Sequence, residues 1–461
     1  MLDVEMKQFF IKNNIFSREK VIADIPFLAI FLAIVVSFSI LFMDTIVGKI
    51  VIPLAMIAAV VMLQYPKVYF ILFLILRPSL DLGADQMIIG NINPAGIATL
   101  FLVLIGVGIL FKKENLIKVK KNRTLMNTNR IFLLFMFIAL FSLLNTENYL
   151  IFIMDWLRFV TIIIIFNYAY IYFSDRKDFG KLFLIILASA FLPLCLGIAQ
   201  YLFKTGGGAE GFNRVVGSFA HPNAFAQYLA TLTLMILYFL KTRKMGMVSK
   251  IALFMLLGLI AFEIIQTYSR AAWIALASVL ILFSLYYRIS KKILFYFLLS
   301  IALIAFLPQI KERFMDIVSP KTYSRSSWEW RKQIWEDTSN EVKRHPIIGY
   351  GLGAYEQKFL FMAHNDYLRL AFEVGLLGLL NYLVFLFYLL AKSFKNFIKT
   401  TDVSVKSRCL TVICLITMLL FMSIAANMAR AVVVLIYLFC LVGALLGIEP
   451  ESASVSDSAK T

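Results

Sequence analysis

In AHNDYLRLAFEVGLLG, residues 363–378, the polar triplet His364-Asn365-Asp366 stands directly before a long apolar run. A neutral imidazole, with an ordinary pKa of about 6.5, can take a proton from a hydroxyl, and Asn365 or Asp366 can cap the helix that follows. A second polar group, GFNRVVGSFAHPNAFAQYL, offers Arg214 and His221, with Pro222 and Asn223 at the start of another apolar run. Proline suits a first helical turn, asparagine can cap it, and a capped helix N-terminus attracts anions. Arg270, in QTYSRAAW, opens a third run. Two or three arginines at one membrane face suit a bidentate grip on a diphosphate, because the guanidinium fork matches phosphate oxygens and stays charged. Arg77 is a weaker third cation, since Asp81 four residues on can occupy it. The plain alternatives, a capping triplet that merely meets water and an interfacial snorkelling arginine, stand beside these readings.

The elements that position these residues are membrane spans. The chain has 61% hydrophobic and 16% charged residues, where soluble domains average about 25% charged. Apolar runs predict spans near 25–43, 48–64, 67–76, 95–111, 131–145, 149–173, 180–203, 224–240, 251–267, 271–288, 292–308, 367–390, 409–426 and 430–447. The expected fold is therefore an all-α polytopic bundle of about 12–14 spans. Residues 1–24 read as a cytoplasmic tail and 25–308 as the first eleven helices. Residues 309–365 read as one large loop, 366–447 as the last three helices and 448–461 as a second cytoplasmic tail. Lys and Arg are densest in the short loops 112–130, 241–250 and 391–408, which places those loops inside and 309–365 outside. His221, His345 and His364 then all face outward.

Other features narrow the field. Cys195, Cys409, Cys414 and Cys440 lie in or beside apolar runs without ligand spacing, so neither a disulfide framework nor a metal site is expected. The net charge of +18 comes without a basic helix interleaved with stacking aromatics, and basic loops beside spans account for it, so no nucleic acid is expected. TGGGAEG does not match a phosphate loop, and GYGLG, with Gly349, Gly351 and Gly353, is a turn with no strand before it. Asp155 with Arg158, and Arg369 with Glu373, have the spacing of intrahelical ion pairs, whereas Glu263 lacks a nearby cation and should find a partner in another span. Trp328, Ile334 and Trp335 have roughly helical spacing; either they pack a small helix or the tryptophans stack on sugar rings.

The 363–378 stretch resembles the signature of the bacterial O-antigen ligase and polymerase superfamily: His364-Asn365, nine residues, then Gly375-Leu-Leu-Gly378. Arg214-x-x-Gly217 leading to Pro222-Asn223, Ser269-Arg270 opening a span, and RKQIWEDTSNEVKRHPIIGYGLGAY are also similar to that family. The resemblance covers about residues 190–390. It implies a C-type membrane glycosyltransferase of the bacterial cytoplasmic (inner) membrane with an outward-facing site. Such an enzyme takes a glycan from undecaprenyl diphosphate with inversion and needs no metal, nucleotide sugar or other cofactor. His364 is then the base, Arg214, Arg270 and Arg77 hold the diphosphate, and His221, Asn223, Asn365, Asp366, Tyr367 and Glu373 support them. The partners implied are the lipid-linked glycan, an acceptor glycan or lipid, the bilayer, and candidate chain-length regulator and flippase proteins. Fourteen spans and a nearly charge-balanced 309–365 loop favour a polymerase over a ligase that must meet a phosphorylated lipid A core. A transporter or flippase would place polar groups near the midplane, and a non-catalytic envelope scaffold would tolerate loss of His364.

Overall fold

A computed structural model of the chain describes residues 65–83, 94–207, 213–287, 327–359 and 362–447. The spans expected at 25–43, 48–64 and 292–308, both expected tails, residues 309–326 and the side chain of Trp328 lie outside the described residues. Residues 1–109 and 110–461 form separate compact units. In the first, α1 (Pro66–Leu76) continues into a 3-10 turn at Ser79–Gly83, and α2 (Pro94–Leu110) follows. Tyr69 donates to the Ala98 carbonyl at 3.1 Å, joining the two helices.

The second unit contains α3 (Lys113–Lys121), α4 (Arg123–Phe141), α5 (Tyr149–Phe173), α6 (Arg176–Phe203), α7 (Pro222–Thr242), α8 (Met247–Gln266) and α9 (Arg270–Tyr286). It continues with α10 (Ser327–Arg344), α11 (Ala354–Phe359), α12 (Asp366–Lys399), α13 (Val403–Ser423) and α14 (Val432–Gly447). No named strand occurs among the described residues. Among the described residues seven helices are long and apolar enough to cross a membrane: α4 with the turn after it, α5, α6, α7, α8, α12 and α13; α1, α9 and α14 are shorter apolar helices. The protein is an all-α, multi-pass membrane protein.

Polar residues stop and start these helices where the sequence changes character. The side chains of Asn122, Asn148, Asp175, His221, Asn365 and Asp402 each accept a backbone N–H at the start of the helix they precede. Almost every residue of α7 and α14 is buried, so these are the inner helices, while α8 turns most of its surface outward. Asn129 on α4 and Asn167 on α5 exchange side-chain amide hydrogen bonds at 2.8 and 3.0 Å, and Ser189 on α6 meets the Tyr228 hydroxyl of α7 at 2.8 Å. Asn129 is half-buried and Asn167, Ser189 and Tyr228 are buried, and pairing removes the cost of leaving their polar groups unsatisfied.

The long helix α12 is not continuous. Gly375 has φ 70 and ψ 175, which separates a first leg, Asp366–Val374, from a second, Leu376–Lys399. Backbone from the segment 345–351 enters this break. Tyr350 N–H donates to Phe372 O at 2.9 Å and Gly351 N–H to Glu373 O at 2.8 Å, while Leu376 N–H donates to Pro346 O at 2.7 Å. The groups that an intact helix would have paired internally are thus paired by an inserted loop, which keeps an interrupted membrane helix viable. The Tyr350 ring stacks on Phe372 at 4.5 Å, and Asn145 donates to Gly349 O at 2.7 Å. GYGLG is therefore more than a turn: it is the plug of a helix break.

Gly375 must be glycine for two reasons. Its φ is left-handed, and a Cβ there would collide with Ile347 O. Gly375→Ala should destabilise the protein by about 1–3 kcal/mol through backbone strain alone, with the clash adding to it. Thermal unfolding in detergent reads this as a lower midpoint; an unchanged midpoint would contradict the break as described.

Candidate active site

The loop between α6 and α7 brings the first cation into place. Gln200, near the end of α6, accepts N–H groups from Val216 and Gly217 at 2.9 and 2.8 Å and donates to Gly217 O at 2.7 Å. This bracket orients Arg214, whose Nε donates to Thr267 O at 2.8 Å and whose Nη2 donates to Asn223 Oδ1 at 3.3 Å. Val215 N–H also donates to Gln266 O at 3.1 Å, so the loop is tied to the end of α8. His221 caps α7 through Nδ1, which accepts Asn223 N–H at 3.1 Å. That bond assigns the proton of a neutral His221 to Nε2. Pro222 occupies the first turn of α7.

His364 lies across from this loop, its ring centre 6.0 Å from that of His221 and 6.0 Å from that of Trp330. It has φ 49, in the left-handed region that few non-glycine residues adopt. Both neighbours hold it there. Trp335 Nε1 donates to Ala363 O at 2.9 Å, and Asn365 Oδ1 accepts N–H from Tyr367 and Leu368 at 3.0 and 3.2 Å. Burial first, then Arg331, the neighbouring His221 and Arg214, lower the His364 pKa from 6.5 to about 3. Its imidazole is therefore neutral throughout the physiological range, with a lone pair available for a proton.

Behind His364, the first leg of α12 is anchored in several directions. Asn365 is the cap, and Asp366 instead reaches the turn Met428–Arg430, its Oδ2 accepting Ala429 N–H at 2.9 Å. Tyr367 donates its hydroxyl proton to Leu420 O on α13 at 2.7 Å. Glu373 grips Arg369 with both oxygens at 3.1 and 3.0 Å. The two expected intrahelical pairs both form, but they join into one network. Arg369 and Arg430 approach Asp155 at 3.9 and 3.7 Å, Arg158 pairs with Asp155, and Arg430 pairs with Glu356 on α11.

The expectation for Glu263 fails. Neither carboxylate oxygen has a hydrogen-bond partner among the described residues, and the side chain lies fully buried against Gly197 of α6. Separation along a helix gives no information about the glycine facing it. Arg270 opens α9 directly after the turn 267–269 that supports Arg214. Arg77 lies in the first unit, paired with Asp81 at 2.6 Å. Among the described residues no group of three or more His, Cys, Asp or Glu is arranged to hold a metal ion.

Gln200 and Arg331 are the contributors that motif spacing did not supply. Arg331 left one trace in the sequence. On α10 the residues Trp330, Ile334, Thr338 and Val342 form the inward stripe, and Arg331 sits beside Trp330 and one turn before Trp335, on the flank of that stripe. An arginine placed against an apolar face signals a polar neighbour.

A bundle of apolar helices with this polar end is the frame of a multi-pass membrane protein. Residues 253–383 match the family described as O-antigen ligase. The matched stretch contains Arg270, Arg331 and His364 and stops short of Arg214 and His221. No curated protein matches the chain.

The proton state of His364 can be measured directly, because the chain has only three histidines. In a histidine-selective NMR titration, with His364→Gln used for assignment, this imidazole should stay neutral down to pH 4. Titration of all three near the ordinary value of about 6.5 would overturn the site's electrostatics.

Proposed function

We propose that the protein is a polymerase of surface polysaccharide: a membrane glycosyltransferase that moves a glycan from undecaprenyl diphosphate to an acceptor hydroxyl, at the outer face of a bacterial cytoplasmic membrane. The observation that carries this reading is the neutral His364 set among His221, Arg214 and Arg331 at one end of the bundle. His364 takes the proton of the acceptor hydroxyl as that oxygen attacks the anomeric carbon. The bond from that carbon to the diphosphate oxygen breaks, and its electron pair leaves with the diphosphate. Arg214 and Arg270 hold the diphosphate and stabilise the developing charge, as pre-placed donors do in a water-poor site. Displacement from the face opposite the leaving group inverts the anomeric centre. Arg77, engaged by Asp81, is given no part.

The outward orientation rests on the dense Lys and Arg of loops 112–130, 241–250 and 391–408. The choice of polymerase rests on the span count and on the nearly balanced charge of 309–365, which suits a second lipid-linked glycan better than a polyanionic core. Transfer to a lipid A core by a ligase is the second reading, favoured by the description of the matched family.

Purified protein in liposomes with undecaprenyl-diphosphate-linked repeat units as the sole glycan should yield a ladder of longer chains. No ladder, but transfer once a lipid A core is supplied, would replace polymerase by ligase. His364→Ala should lower the rate by about 10²–10⁴ while the protein stays folded in the membrane. Full activity of this variant would remove His364 from the mechanism. Chelation should leave the rate unchanged; inhibition reversed by a divalent ion would bring a metal into the reaction.

A further inference from the structure

We propose that α3 (Lys113–Lys121), at the end of the bundle opposite His364, is a docking surface for the headgroups of anionic phospholipids. This is independent of the glycosyl-transfer reading and requires only that the bundle stands in a bilayer.

Depth is the first support. Helix α5 has 25 residues and, at 1.5 Å per residue, is about 37 Å long, against a hydrocarbon thickness of about 30 Å, so it reaches headgroup level. Asp155, near its start, belongs to the network that holds Arg369 and Arg430. Ile171, in its last turn, lies about 24 Å further along the axis. Helix α3 is fastened to that last turn. Lys118 Nζ donates to Ile171 O at 2.6 Å and lies 5.8 Å over the Tyr170 ring, and the Tyr170 hydroxyl donates to Lys118 O at 3.3 Å. An ammonium suits the carbonyls that a helix C-terminus leaves unpaired, so Lys118 is a tie and the other cations of α3 are not needed for it.

The pattern of side chains is the second support. Leu116 and Val119 are half-buried, whereas Lys113, Ile117, Lys120 and Lys121, at i, i+4, i+7 and i+8, form one exposed face. Lys112 and Arg123 flank the helix and are exposed as well, and Glu114 is the one acid between residues 111 and 123. Among the described residues none of these five cations has an ion pair or a side-chain hydrogen bond. Ile117, 46% exposed in the middle of the lysines, decides between partners. A polyanion in water would meet the charges and leave the isoleucine wet. A lipid surface takes both, because the apolar group enters the acyl boundary while the long lysine stems carry their ammonium groups to the phosphates.

The test uses the full-length protein in detergent with two probes, phosphatidylglycerol and zwitterionic phosphatidylcholine, read by native mass spectrometry. Wild type should prefer phosphatidylglycerol. Lys113→Gln/Lys120→Gln should bind it about 5- to 25-fold more weakly, from roughly fivefold for each lysine near an anionic surface, with phosphatidylcholine binding unchanged. Lys113→Arg/Lys120→Arg should match wild type, because it keeps the charge. So should Lys332→Gln/Lys343→Gln, which removes the same charge from exposed positions of α10 at the other end of the bundle. Equal phosphatidylglycerol binding by wild type and Lys113→Gln/Lys120→Gln would overturn the assignment and leave α3 to a protein partner. An equal loss in the α10 variant would overturn it by reducing the effect to total charge, and parallel loss of both lipids would do so by showing a purely structural helix.

Discussion

A helix surrounded by apolar material can be interrupted only where every freed backbone group finds another partner, and in this protein the partners for the break at Gly375 come from residues 346–351. Much of the site depends on that exchange. It fixes the first leg of α12 at an angle of its own, with Asn365 as its cap and His364 just before it. It also anchors the far end of α10 through His345 and Pro346, so the helix carrying Trp330 and Arg331 is registered against the same leg. The histidine and the cations around it are positioned by backbone geometry as much as by side-chain packing.

Charge is divided into two regions with different roles. Asp155, Glu356 and Glu373 face Arg158, Arg369 and Arg430, three acids against three arginines, and the network joins α5, α11, α12 and the turn before α14. Buried pairs of this kind add little net stability, but removing one member leaves an expensive uncompensated charge, so they fix geometry. The fixed charges that act on His364 are positive, from Arg331 and Arg214. The balanced network is a frame, and the cationic group is what an anionic ligand would meet.

How much of this could be read from the sequence depends on which kind of force sets each feature. Apolar periodicity and capping residues are local, so most of the described apolar helices and the role of Asn365 as a cap were legible, whereas α3 and α11 fall in stretches read as loops and the cap of α7, read as Asn223, is His221. The helix break was written into the spacing His364-x10-Gly375, but its meaning was hidden, because the residues that fill it lie some 25 positions upstream. Glu263 was misread, since the residue facing a buried carboxylate depends on how α6 and α8 cross. Asp366 was read as a possible cap and instead reaches Ala429, 63 residues away. Arg331 was passed over because the 309–365 segment was weighed by its total charge and not by which face of α10 each charge occupies.

The plug in the helix break also restricts how related sequences can differ. Its hydrogen bonds run from main chain to main chain, so most side chains between Pro346 and Gly351 are free to vary provided the glycines remain. Chain length is not free. One residue inserted or deleted there would slide Tyr350 N–H and Gly351 N–H past Phe372 O and Glu373 O and leave both carbonyls bare. Length variation among relatives should therefore fall upstream of α10, while the distance from Pro346 to Gly351 stays constant as the residues filling it change.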